Sequence, residues 1–233
     1  MSSKEINLTS ELRGDYGELL FKIYNYKKNN KLEDVSKDVE HQHKDIDFIV
    51  DGVGVEVKTD MVTKRTGNFL NEALCQIREK NKIIPDFQYY TLNEIKKMHE
   101  NCDYLPKGFM LKTQADVFFY VNVYEGAYNH FKVFDNDPGM AASVYKIDVE
   151  KLRNHLMNSK YKYWYKHHTD ENVYNFIAPV PFAKLANLGI AEVLDEDIKE
   201  TFKDDEKLMK FISEYHTTQQ FRDFIIENYP EID

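Results

Sequence analysis

The chain has 233 residues, 42% hydrophobic and 14% aromatic, enough apolar material for a sizeable core and against disorder as the default. No apolar run nears the ~20 residues that cross a bilayer, MSSKEINLTS lacks an apolar signal core, and two cysteines make neither a disulfide framework nor a thiolate cluster; a cytoplasmic protein with no membrane partner is expected. The net charge of −9 speaks against nucleic acid only until it is divided, since residues 191–233 hold 13 acids against 5 bases while residues 151–168 hold five Lys or Arg, three His and no acid.

Residues 10–28 place Leu12, Tyr16, Leu19, Leu20 and Ile23 at helical spacing and predict an amphipathic helix that fades into KKNN. DIDFIVDGVGVEVKTD, residues 45–60, reads as a hairpin turning at Asp51-Gly52, a dipeptide that supplies positive φ angles. Residues 67–83 predict a helix, stopped by Pro85. Within 86–111, LNEIKKMHE is helical and DYLPKG is a loop. ADVFFYVNVY, residues 115–124, is β-branched and aromatic and predicts a strand. HFKVFD and ASVYKID predict two more around a turn at NDPGM, DVEKLRNHLM resumes helical spacing, and the chain from 182 onward is helical and acidic. The order predicts a mixed α/β core over residues 1–150 and a helical C-terminal extension over 151–233.

A two-residue loop pairs Val50 with Val53, which sets Asp47 opposite Glu56 and puts Lys58 on the same face. A four-residue loop, DGVG, keeps that parity. Carboxylates this close repel, so one takes a proton or a cation sits between them. A hard divalent ion such as Mg²⁺ suits such oxygens together with water and phosphate, and the adjacent lysine steadies a water or a phosphate oxygen, the parts needed for phosphodiester hydrolysis.

Asp47 followed by Glu56-Val57-Lys58 on the next strand resembles the PD-(D/E)xK nuclease superfamily. The resemblance implies a restriction-endonuclease-like αβββαβ core with a mixed sheet, and a Mg²⁺ or Mn²⁺ ion held by Asp47, Glu56 and the Val57 carbonyl, with Lys58 assisting the attacking water. GDYGELLFKIY resembles the first helix of resolvase-like and phage-encoded members, whose glutamate, here Glu18, joins the metal shell. TGNFLNE and KTQADVFFY resemble segments that follow the metal site. Ile46 stands where the family name has Pro. The implied activity is a metal-dependent endonuclease acting on DNA, of resolvase, restriction or phage and mobile-element type. Cutting both strands calls for two sites, and hence a homodimer.

Each candidate has a plainer reading. Asp47, Glu56 and Lys58 could form cross-strand ion pairs on an exposed sheet face. Glu18 lies nearly opposite the apolar stripe of its helix, as a surface glutamate would. His41, His43 and Asp45 suggest zinc or a polar approach to the hairpin, and Asp116 either reaches the cleft or caps its strand. KYKYWYKHH, residues 160–168, interleaves bases and aromatics, for nucleic acid or for a core with lysines reaching out to water. The alternative from another class is a non-catalytic nucleic-acid-binding or protein-interaction module on the same fold, and RNA is an alternative substrate.

Overall fold

A computed structural model describes residues 10–60, 67–102, 105–123, 142–168, 173–213 and 218–232. In chain order the elements are α1 (Ser10–Lys27), β1 (Leu32–Asp34), α2 (Val39–His43), β2 (Phe48–Val50), β3 (Val53–Asp60), β4 (Asn68–Ile77), β5 (Gln88–Tyr90), α3 (Leu92–Glu100), α4 (Phe109–Lys112), β6 (Val117–Val123) and β7 (Ala142–Asp148). There follow α5 (Val149–Asn158), β8 (Tyr161–His168), β9 (Val173–Pro181), α6 (Phe182–Asn187), β10 (Ala191–Val193), α7 (Asp195–Phe202), α8 (Glu206–Ser213) and α9 (Thr218–Asn228).

The protein is mixed α/β. A six-stranded mixed sheet runs β1-β2-β3-β6-β7-β10, in which β3 and β6 are parallel and the other neighbours antiparallel. A four-stranded antiparallel sheet runs β4-β9-β8-β5. Strand alternation feeds two cores. Val55, Val57, Phe119 and Val121 face Leu20, Phe21 and Ile23 of α1 together with Ile198, Phe202 and Ile225 of the C-terminal helices. Phe118, Tyr120 and Ile147 face the other way, onto Phe69, Phe176 and Tyr163 of the second sheet and Leu92 and Leu152 of α3 and α5. Thr91 starts α3 with a reciprocal capping box to Glu94, which fits the helix expected at LNEIKKMHE.

Two expectations are corrected. Residues 67–83 are not a helix: Asn68–Ile77 is a strand paired with β9. Its buried positions alternate from Phe69 to Ala73, and register shifts between Glu72 and Leu74 and between Leu74 and Ile77 then change the phase. The resulting spacing of Phe69, Ala73, Leu74 and Ile77 imitates a helical stripe, and tertiary pairing overrides the propensity of Leu, Glu, Ala and Gln. Nor is the C-terminal part wholly helical, because Tyr161–His168 and Val173–Pro181 build the second sheet and Ala191–Val193 edges the first. ASVYKID forms β7 as expected, while HFKVFD and NDPGM lie outside the described residues.

Gly108, just before α4, presses on β4. A Cβ at Gly108 would lie 2.6 Å from the Glu72 carbonyl oxygen and 2.8 Å from the Ala73 carbonyl carbon, both backbone atoms that cannot step aside. Gly108→Ala is therefore expected to destabilise the protein by about 1–3 kcal/mol, read as a lower urea midpoint at unchanged slope.

Candidate active site

The hairpin turns at Asp51 and Gly52, with φ of 50° and 85°, and Val50 pairs with Val53, so the two-residue loop is the one formed. β2 is only three residues long against eight in β3, and the ladder ends at Phe48 opposite Val55. Asp47 has already left it. Its amide donates to the Val55 carbonyl (2.9 Å), its carbonyl accepts the Val35 amide (3.0 Å), and its carboxylate Oδ2 accepts the Val57 amide (2.8 Å). The expected face-to-face pairing with Glu56 is thus replaced: Asp47 stands at the edge of β3, its carboxylate taking the role of a strand carbonyl.

That exchange decides where Val57 points. Gly54 offers its carbonyl to the Asp116 amide beside β6 (2.8 Å), and Val55 offers its own toward Asp47. Carbonyls alternate along a strand, so the Val57 carbonyl turns to the same edge as the Asp47 carboxylate.

Glu56 and Lys58 project from the face opposite Val55 and Val57. Glu56 is 4% exposed; its Oε1 accepts from the Lys58 ammonium, and its Oε2 is buried with no hydrogen-bond partner. Burial pushes the Glu56 carboxyl up to about 7; Lys58 pulls it part of the way back and Asp47 adds to the rise. Burial likewise raises Asp47 against the pull of the Val57 amide and Lys58. Burial alone would lower Lys58, but Glu56 and Asp47 outweigh it and hold the ammonium protonated. The ammonium lies 5.4 Å from the Phe109 ring centroid.

An unpaired oxygen on a buried carboxyl costs about 1–3 kcal/mol or more, and a cation would remove that cost. Glu56, Asp47 and the Val57 carbonyl offer only oxygen, the donor chemistry that suits Mg²⁺ or Mn²⁺. Among the described residues no three His, Cys, Asp or Glu side chains gather as a metal group.

Glu72 was not legible as a site residue. It sits on β4 inside the TGNFLNE stretch, accepts from the Asn175 side chain and the Phe109 backbone, and feels the charges of Lys58 and Lys166. Burial raises its carboxyl, with Lys58 opposing. Cys75, close enough to feel Glu72, Lys112 and Asp45, donates to the Lys107 carbonyl (3.1 Å), and burial pushes its thiol up to about 11, which removes it as a nucleophile.

No family model, curated protein or solved structure matches the chain. Its chemistry therefore stands on its own residues. The fold brings Asp47, Glu56, Val57 and Lys58 together along β3 and its edge. Glu18 is half-buried on α1, which packs on the face of β3 carrying Val57 and Thr59, opposite Glu56 and Lys58. Asp116 accepts the Gly54 amide (2.8 Å) and ties the starts of β3 and β6. His41 pairs with the N-cap Asp38 (2.8 Å) and Asp45 with Lys112 (2.5 Å). A groove of about 880 Å³ lined by Asp116, Lys146, Asp148, Lys151, Arg153 and Glu192 includes none of the four. Among the described residues no helix is long and apolar enough to cross a membrane.

Proposed function

We propose that the protein is a divalent-metal-dependent endonuclease that hydrolyses phosphodiester bonds in DNA, on a PD-(D/E)xK-like core. The observation that carries the reading is the buried, unpartnered Glu56 Oε2 within the field of Asp47, whose carboxylate accepts the Val57 amide, with Lys58 two residues along the same strand. The αβββαβ expectation has partial support: α1, β1, β2 and β3 are followed by β6 parallel to β3, but β4 departs to the second sheet, so the crossover carries an insertion.

Asp47, Glu56 and the Val57 carbonyl would hold Mg²⁺ or Mn²⁺. Bound there, the ion supplies positive charge that polarises a water and offsets charge on the phosphate. Lys58, paired with Glu56 on the same strand, serves as a hydrogen-bond donor that orients the water or a phosphate oxygen. The Phe109 ring lies near the lysine, and Glu72 feels its charge.

The contact between Glu56 and Lys58 also favours a second reading, a settled structural ion pair in a binding module without hydrolysis. Titration calorimetry with Mn²⁺ separates the two. A binding heat in the wild type that disappears in Asp47→Ala supports the enzyme; no Mn²⁺ heat at all, with DNA binding indifferent to metal, supports the module.

A further inference from the structure

β8 is Tyr161–His168, and its burial alternates over Tyr161, Lys162 and Tyr163, while Trp164, Tyr165 and Lys166 are half-buried. Tyr161 and Tyr163 are buried against the shared core, at 8% and 0% exposure. Lys162, Trp164 and Lys166 must then stand on the outer face of the four-stranded sheet. On the neighbouring edge strand Tyr89 pairs with Lys162, and just before that strand Phe87 lies under the same lysine, its ring centroid 5.8 Å from the ammonium. Phe87 and Tyr89 are 61% and 63% exposed, far more than large aromatics normally are on a sheet. Aromatic faces and ammonium groups thus alternate over ~13 Å of strand. At its far end Lys166 pairs with Asn175, which donates to Glu72, and Glu72 feels both Lys166 and Lys58.

We propose that this outer face, Phe87, Tyr89, Lys162, Trp164 and Lys166, is a stacking platform for single-stranded nucleic acid that delivers an unpaired strand to the cleft of Glu56 and Lys58. Bases in a duplex hide their faces in the stack, so exposed rings select strands whose bases are already free, while the lysines between them meet successive phosphates. The occupant follows from charge complementarity, because residues 151–168 contain no acid, and from continuity with Glu72. The direction of travel rests on the nuclease reading; the binding itself does not.

The test is fluorescence anisotropy without divalent metal, using labelled oligo-dT, oligo-rU and a duplex of equal length. Single strands are expected to bind roughly tenfold or more tightly than the duplex, and the double variant Phe87→Ala/Tyr89→Ala to lose roughly tenfold or more of single-strand affinity. Tyr89→Phe keeps the affinity. Lys162→Ala lowers the dependence of log affinity on log salt by about 0.7. Oligo-dU beside oligo-rU, which differ only in the sugar, reads a sugar preference, and equal affinity assigns recognition to bases and phosphates alone. Duplex binding as tight as single-strand binding overturns the platform, as does a double variant that melts normally and binds unchanged. Tight single-strand binding with no cleavage of linear, branched or single-stranded DNA in Mn²⁺ sinks the nuclease reading and leaves the platform standing; cleavage indifferent to the double variant does the reverse.

Discussion

Lys58→Ala is expected to lower DNA cleavage in Mg²⁺ or Mn²⁺ by about a hundredfold to ten-thousandfold, the range lost when a positioned proton-handling or charge-stabilising group is deleted. The loss should fall on kcat rather than KM, because Lys58 pairs with Glu56 and acts at the reacting atoms rather than on the outer binding face. Single-turnover assays on linear, branched and single-stranded DNA give the rate, and a thermal melt checks that the variant is folded. Undiminished cleavage by the variant, or no cleavage of any of these substrates by the wild type, would end the nuclease reading.

Glu56→Gln is expected to do something opposite in sign to stability and activity. The carboxyl has an ordinary value of 4.5 and is pushed to about 7 in the folded protein, so the native state binds this proton more tightly than the unfolded chain. Its contribution to stability is present below pH 4.5 and is lost as pH rises to about 7, a total of about 3 kcal/mol. Asp47 and Glu72 are shifted the same way and add to the trend. At pH 8 without metal the glutamine variant, which keeps the shape of the protonated acid, should melt roughly 5–10 °C higher than the wild type and lose most of the decline between pH 5 and 8. The same variant should lose cleavage and its response to Mn²⁺, whereas the wild type should gain stability at pH 8 on adding Mn²⁺. A wild-type melting temperature that is flat from pH 5 to 8, or a glutamine variant that melts lower at pH 8, would contradict the burial of an uncompensated carboxyl.

How much of this was readable beforehand depends on how local each cause is. Asp51-Gly52 dictates its own turn, and once Val50 meets Val53 the alternation of Glu56, Val57 and Lys58 follows without further information. The first helix was legible from its spacing and the strand at Val117–Val123 from its β-branched and aromatic composition, both of them local causes. Asp47 was placed only to within a residue. Its departure from the ladder depends on β2 ending at Phe48 and on Val35 capturing its carbonyl, neither of which the hairpin pattern encodes. β4 was misread because its bulges are answers to β9, a partner about a hundred residues away. Glu72 was hidden by that error, since a helix would have turned it elsewhere.

The parallel pairing of Val55–Asp60 with Val117–Asn122 has a consequence in time. The hairpin that carries Asp47, Glu56 and Lys58 is local and closes early, but its parallel neighbour arrives only after residues 61–116 have been made and drawn into a loop whose closure costs on the order of 4 kcal/mol. Until then Glu56 faces water and ionises like any glutamate. The burial that shifts Glu56 is therefore acquired late, when the nascent chain completes its central sheet, and a half-made molecule carries these residues without it.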